Sequence, residues 1–392
     1  MYHDTYHGIV ICDRGFANEC ASEIKELVVA RNVVCSESYI TFDVSERADL
    51  LHLCYRMQTA VKVLELLGTS KLNVQTLLAD CERFISQPDV LLPWVNAGRT
   101  FKIVTRFDEA EMGLATLDVA ARVGAMVLAR HPECKVNMKT PQTVICVYVI
   151  GETLLVGIDY SHENLSKREY KIFLNSTAIR STVAAAMVRA AYFSSKKTLL
   201  DPFCGSGTIP IEAGLFVMHK SPMHFKKEYL PIASYPFFSE SETVAFLEGL
   251  DSRSDDIDSL PVRIFGYDIT IKNVDFSKKN AKIADVLSAV HFSRVEVDWI
   301  DIKLPQNGID CIVSAPPLYR DAVDAESVNK VYRQLFHRAK EILTSDGVIV
   351  LLVNQPSTVK SLIPAELFTC VETRPVWMGQ SSLFLLKIER TK

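Results

Sequence analysis

The sequence predicts an α/β protein, with a C-terminal doubly wound sheet preceded by smaller α+β units. Three observations carry this prediction. The run Leu199-Leu200-Asp201-Pro202-Phe203-Cys204-Gly205-Ser206-Gly207-Thr208-Ile209-Pro210-Ile211-Glu212-Ala213 reads as a buried strand, a tight glycine turn and the first turn of a helix. From residue 171 onward, strand and helix signals alternate to the C-terminus. Before residue 171 strand and helix signals alternate and include a hairpin, which suits small α+β units.

The elements follow in chain order. Ile9-Val10-Ile11 reads as a strand, Phe16 to Val29 has helical spacing, and Tyr39 to Val44 alternates like a strand. Leu50 to Leu67 is expected to be one long apolar-faced helix. Thr100 to Arg106 alternates basic or polar residues with apolar ones, as a half-exposed strand would, and Leu117 to Leu128 is an alanine-rich amphipathic helix. Thr143 to Val149 and Leu154 to Ile158 form a hairpin around Gly151-Glu152, and the polar, basic run Asn164 to Tyr170 reads as a linker.

Ala178 to Phe193 is a helix just before the glycine turn. Roughly residues 220 to 260 form an insertion without clean period, which includes Lys226-Lys227. The second strand, Arg263 to Tyr267, ends in Asp268 and leads to a helix from Ile271 to Asp285. The third is expected over Arg294 to Val297, ending in Asp298, with a fourth at Ile309–Val313 and a fifth at Gly347–Val353. Ser382 to Glu389 alternates and is expected to pair antiparallel at the sheet edge.

Composition narrows the function classes. A chain that is 48% hydrophobic and 23% charged fits a folded protein rather than a disordered one. No apolar run approaches the roughly 20 residues needed to span a bilayer, and no basic-then-apolar leader is present. The ten cysteines form no Cys-x-x-Cys pair and no cluster with histidine, so we expect reduced thiols, no metal and a cytoplasmic location. A net charge of −4 gives no polyelectrolyte argument for nucleic-acid binding, which would need a local basic patch.

Chemistry concentrates in the glycine turn. Gly205 and Gly207 let backbone amides approach a ligand closely, while Asp201 and Glu212 offer carboxylates to cationic or hydroxyl groups. Two carboxylates would repel a phosphate but not a sulfonium-and-ammonium cofactor such as S-adenosyl-L-methionine (AdoMet). Asp268, at a strand end, can accept hydrogen bonds from a ribose diol or cap the following helix.

The glycine turn resembles that of the AdoMet-dependent RNA methyltransferases that carry an RNA-binding THUMP domain, whose motif runs Asp-Pro-x-Cys-Gly-x-Gly-Thr. The order from Phe101 to Tyr170 resembles a THUMP domain in its Lys/Arg-bearing strand, its Ala-Ala-Arg-Val-Gly helix, its Lys-x-Pro-Gln-Thr-Val lead into a hairpin and its closing Leu-Ser-Lys-Arg-x-Tyr. The resemblance implies a ferredoxin-like domain over residues 1–62, a THUMP domain over 63–166 and a Rossmann-like methyltransferase domain over 171–392. It implies that Phe203, Cys204 and Thr208 join Asp201, Gly205, Gly207, Glu212 and Asp268 in cofactor binding. Asp298 would face the adenine amino group. Neighbouring Trp299 offers either a flat face to the ring or a core side chain.

In the family the fourth strand ends in Asn or Asp, Pro, Pro and an aromatic residue. A side-chain oxygen and the carbonyl after the first proline hold the exocyclic amine of a base, and the aromatic stacks on it. Here the run is Ser314-Ala315-Pro316-Pro317-Leu318-Tyr319, with Ala315 in the acceptor position and Leu318 in the aromatic one. Ser314 and Tyr319 could substitute after a one-residue shift, the proline carbonyl could act alone, or the domain could bind without methylating. The basic residues Arg99, Lys102, Arg106, Lys167 and Arg168 are candidates for RNA phosphates or members of a solvated face.

The resemblance implies transfer of a methyl group from AdoMet to guanine N2 in structured RNA, and within the class it is to the tRNA enzymes acting on acceptor-stem position 6. RNA is the expected partner, without DNA or membrane, for a monomeric chain. The alternatives are a non-catalytic RNA- and AdoMet-binding paralogue and an adenine-N6 methyltransferase.

Overall fold

The computed structural model describes all residues except 1–4, 87–90, 97, 109–112, 114, 177, 226–234, 252–262, 322, 380 and 392. The N-terminal part comprises β1 (Tyr6–Cys12), α1 (Ala17–Leu27), β2 (Arg31–Cys35), β3 (Tyr39–Val44), α2 (Arg47–Arg56), β4 (Ala60–Lys71), α3 (Leu77–Ile85), β5 (Thr100–Asp108), α4 (Thr116–Arg130), β6 (Lys135–Val136), β7 (Thr143–Ile150) and β8 (Thr153–Asp159). Its strands form one sheet in the order β2-β3-β1-β4-β8-β7-β5-β6.

The predicted helix from Leu50 to Leu67 is instead α2 followed by β4. Central β4 pairs antiparallel with β1 on one side and β8 on the other. Both its faces are largely covered, so Ala60 to Leu67 is apolar on both and resembles a buried helix by composition. The valines at 61 and 63 favour the extended form. The expected boundary between residues 62 and 63 falls inside this strand, so the two small units share a single sheet.

The C-terminal part comprises α5 (Ser181–Ala190), β9 (Leu199–Asp201), α6 (Thr208–Val217), α7 (Glu240–Asp251), β10 (Ile264–Asp268), α8 (Ile271–Ile283), β11 (Val290–Arg294), β12 (Ile309–Ser314), α9 (Ala325–Ile342), β13 (Leu343–Val353), α10 (Pro356–Ser361), β14 (Phe368–Met378) and β15 (Ser381–Arg390). Its sheet runs β11-β10-β9-β12-β13-β15-β14. The strands from β11 to β13 are parallel, and β15 is antiparallel to both its neighbours. This is a doubly wound, Rossmann-like sheet, as expected. The edge, however, is β14 and not β15. The third strand also ends four residues earlier than predicted, because Arg294 is the parallel partner of Asp268.

The described apolar residues of the insertion pack on the N-terminal core rather than on the C-terminal sheet. Tyr235, Leu247 and Leu250 join the N-terminal core with Leu50 and Trp94, and the Tyr235 hydroxyl donates to the Tyr160 carbonyl at 2.5 Å. Lys226 and Lys227 lie outside the described residues. Ion pairs tie the halves elsewhere. Arg180 Nη1 donates to Asp13 at 2.9 Å, Arg189 reaches Glu23 and Glu26, and Arg374 reaches Glu19 at 2.6 Å.

Candidate active site

The strand order reverses between β9 and β12, so their following segments diverge and open a crevice beyond the C-terminal ends of the strands. A cavity of about 710 Å³ lies there, within the range of ligand sites. Phe203 and Gly205 line it after β9, Asp268 at the end of β10, Val295–Val297 after β11, and Ala315–Arg320 after β12. Met378 and Ser381–Leu383 of the β14–β15 hairpin complete the lining.

Gly205 and Gly207 both adopt positive φ, at 54° and 86°. A Cβ on Gly207 would lie 2.9 Å from the Cβ of Ser277, so this backbone conformation and this packing both demand glycine. The turn delivers Thr208 to the start of α6, and Cys204 is buried with its N–H donated to the Tyr267 carbonyl. A small recess adjoining the main cavity is lined by Asp201, Phe203, Cys204, Gly205 and Thr208. Asn175 also lines both spaces, and its Oδ1 is buried with no hydrogen-bond partner.

Asp268 is nine-tenths buried, and its carboxylate anchors the turn from the neighbouring strand. Oδ2 accepts from Gly205 N–H at 3.0 Å, while Oδ1 accepts from Thr270 N–H at 2.8 Å and Asn273 Nδ2 at 3.1 Å. Three of about four acceptor positions are therefore filled. Gripping a diol at both hydroxyls would require the Asn273 amide, which also lines the cavity, to yield its place and take the second hydroxyl itself.

Asp201 ends β9 and is fully buried; its Oδ1 accepts from Ser314 Oγ at 2.5 Å and Phe203 N–H at 3.1 Å. Burial pushes its carboxyl up to about 7, against the opposing effect of these two donors. The folded state therefore binds the proton more tightly than the unfolded chain, and stability falls as pH rises from about 4 to 7. Asp201→Asn is expected to match the wild type below about pH 4, where the carboxyl is protonated in both states, and to melt at a higher temperature near pH 8. Parallel melting curves across that range would refute this assignment.

Several of the expected residues lie away from the cavity. Glu212 lies outside the cavity lining and forms a salt bridge with Arg168, each side chain being 0% exposed. Arg168 Nε donates to Oε1 at 3.0 Å, and Tyr170 and Gln58 also donate to the carboxylate. Neither side chain is therefore free for cofactor or RNA, and the predicted linker sets Leu165, Arg168 and Tyr170 into a buried clasp while Lys167 and Glu169 stay exposed. Apolar neighbours on the first turns of α6 require a partner for this carboxylate, and the nearby chain supplies the guanidinium.

Asp298 also lies outside the lining. It accepts from the Gln334 amide and sits 3.6 Å from Arg338, while Trp299 is 58% exposed and reaches neither cavity nor core. The early end of β11 places Val295–Val297 at the cavity in their stead. Ser314 is 0% exposed, with its hydroxyl spent on Asp201, so no one-residue shift has occurred. Tyr319 is also committed, its ring stacked on Tyr332 at 6.0 Å and 5°. Ala315, Pro316, Pro317 and Leu318 face the cavity.

Of the basic candidates, Lys102 and Arg106 share one face of β5, and Lys167 is exposed. Arg99 is half-buried and donates Nε to the Trp94 carbonyl at 3.2 Å. The reading by sequence missed Asn175, Asn273, Gln334 and Asn354, amides that all line the cavity. For Asn354 the signal was its place just beyond an apolar strand in a doubly wound sheet. Among cavity-lining residues Asp268 and Glu296 face a single cation, Arg320, which fits a cationic ligand better than a phosphate. With the orphaned Asn175 acceptor and the bare glycine turn, the residues fit AdoMet.

Among the described residues no helix is long and apolar enough to cross a membrane, and no His/Cys/Asp/Glu group could hold a metal. All ten cysteines are free, Cys35 being exposed and Cys370 half-buried.

Comparison with known proteins adds independent findings. Residues 168–383 match the family described as "RMKL-like, methyltransferase domain", and residues 89–159 match the THUMP domain. The chain is 28% identical over 297 residues to the tRNA (guanine(6)-N2)-methyltransferase of Methanocaldococcus jannaschii, covering 73% of this chain and 74% of that protein. In fold it is similar to "a possible methylase" from Clostridium difficile 630, with a TM-score of 0.83 at 19% identity over 99% of both chains. The SMU.472 protein, solved in complex with SAH, aligns over 99% of both chains with a TM-score of 0.79 and 16% identity.

Proposed function

Because this chain belongs to the RMKL-like methyltransferase family, which uses AdoMet, we propose that it methylates the exocyclic N2 amine of a guanosine in tRNA, at acceptor-stem position 6. One observation carries the reading: the glycine turn and the Pro-Pro loop open onto the same cavity, in a chain that also matches a THUMP domain. The similarity over three quarters of the M. jannaschii enzyme supports the choice of base and RNA.

In this reading AdoMet supplies an electrophilic methyl group, and the protein supplies position. Asp201, Phe203, Cys204, Gly205, Gly207 and Thr208 surround the methionine end, with Asn175 accepting from its ammonium group. Asp268 and Asn273 hold the ribose. The Pro316 carbonyl would accept a guanine N2–H, which would turn the nitrogen lone pair toward the methyl group. The amine would take that methyl group and give up its proton to water, with the neutral thioether as the leaving group. Lys102, Arg106 and Lys167 take RNA phosphates, and the chain acts as a cytoplasmic monomer.

The test is incubation of the purified protein with unmodified tRNA and methyl-labelled AdoMet, followed by nucleoside analysis. Label in N2-methylguanosine is expected, and Asp268→Ala is expected to remove nearly all of it. Label in N6-methyladenosine would move the reaction to adenine. No label, with AdoMet and tRNA both bound, would favour the second reading of a binding paralogue, which the absence of a side-chain acceptor at Ala315 supports.

A further inference from the structure

The loop from Ala315 to Arg320 leaves β12 beside the end of its parallel neighbour β13, where Ser314 lies opposite Leu351. Asn354 is the first residue beyond β13. Its Oδ1 accepts the Tyr319 N–H at 3.2 Å, and its Nδ2 donates to the Tyr319 carbonyl at 2.7 Å. One side-chain amide thus satisfies both polar backbone groups of one residue. The opposite amide orientation would set donor against donor and acceptor against acceptor, so this one is determined.

Tyr319 is held from its other side as well. Its hydroxyl donates to Asn329 Oδ1 at 2.9 Å, its ring stacks on Tyr332, and the Tyr332 hydroxyl donates to the Pro317 carbonyl at 3.4 Å. The loop is therefore tethered at Ser314 by β12 and at Tyr319 by Asn354. Between these tethers stand two stiff prolines flanked by Ala315 and Leu318, which bring no polar side-chain group.

We propose that Asn354 is a positioning residue for methyl transfer, acting through Tyr319 to hold the Pro316–Pro317 backbone in line with the reacting amine. The inference rests on the methyltransferase reading above and extends it. Where a relative with a side-chain acceptor could steer the base from residue 315, this chain must steer it with loop backbone. Backbone geometry then depends on the clamp at the far end. A displacement of about 1 Å at such a site costs on the order of 10²-fold in rate.

Asn354→Ala and Asn354→Asp test the proposal through tRNA methylation kinetics, AdoMet binding by calorimetry, and tryptic cleavage after Arg320, the residue next to the clamp. Cleavage is read well below each variant's melting temperature. Asn354→Ala is expected to lower kcat by about 10²-fold, to leave AdoMet affinity within about twofold, and to speed cleavage after Arg320. Asn354→Asp keeps the acceptor but loses the donor, and is expected to change in the same direction by less. Loss of AdoMet affinity at unchanged kcat would make Asn354 a cofactor contact and overturn the proposal. Should wild-type protein methylate no tRNA, the proposed reaction falls, while unchanged cleavage in both variants would separately overturn the clamp.

Discussion

Glu212→Ala is expected to lower the melting temperature by on the order of 10 °C while leaving AdoMet affinity at low temperature nearly unchanged. The side chains of Glu212 and Arg168 are both 0% exposed. Besides Arg168, the carboxylate accepts from Tyr170 at 2.8 Å and from Gln58 Nε2 at 2.9 Å. Arg168 Nη2 also donates to the Gln58 carbonyl at 2.6 Å and Nη1 to the Leu165 carbonyl, so the alanine variant leaves a buried guanidinium with two neutral carbonyls and no carboxylate. Breaking a buried pair at one end costs about 3–5 kcal/mol, because the remaining charge stays desolvated. For the roughly 200-residue catalytic half, each kcal/mol moves melting by about 2–4 °C. The double variant Arg168→Met/Glu212→Leu is expected to recover most of the loss, since no charge is then stranded. A large fall in AdoMet affinity with unchanged melting would restore Glu212 to the cofactor site.

Gly207→Ala is expected to weaken AdoMet binding by about 10²-fold, with a smaller effect on stability. Two costs coincide at this residue. Its φ of 86° is one that L side chains adopt at a cost of about 1–3 kcal/mol. The new methyl would also stand 2.9 Å from the Cβ of Ser277, on the helix that follows β10. Relief comes by shifting the turn, and the turn is the cofactor-facing surface. Gly98→Ala separates the two costs, because Gly98 has a φ of 82° but nothing within 4 Å of its Cβ position. That variant is expected to lose stability alone. Equal AdoMet affinity in wild type and Gly207→Ala, measured by calorimetry, would remove the turn from the cofactor site.

Local patterns were the legible part of this chain. The glycine turn, Asp268 at a strand end and the hairpin around Gly151 each depend on residues a few positions apart, and each lies where the sequence places it. Long-range pairing was not legible. Ala60 to Leu67 is a strand only because β1 and β8 flank it, and neither is near in sequence. Arg168 and Glu212 each read as functional charges, since nothing local indicates that two residues 44 positions apart fold against each other. Asp298 lies off the cavity for a third reason: the parallel pairing of β11 with β10 ends at Arg294 against Asp268, before the acidic residue. Tyr235, Leu247 and Leu250 show no period because the core they fill belongs to the other half.

The double pairing of β4 also decides where this chain could be recombined. Any junction between residues 60 and 71 severs a strand that two others need, and would leave an open edge ready to pair with foreign chains. A graft of the RNA-binding half onto another catalytic partner must therefore move residues 6–159 as one block. A junction placed beyond Arg168 is constrained as well, because Arg168 would then travel with one parent and Glu212 with the other. Homologous exchange between relatives can succeed there only when both parents carry the same pair.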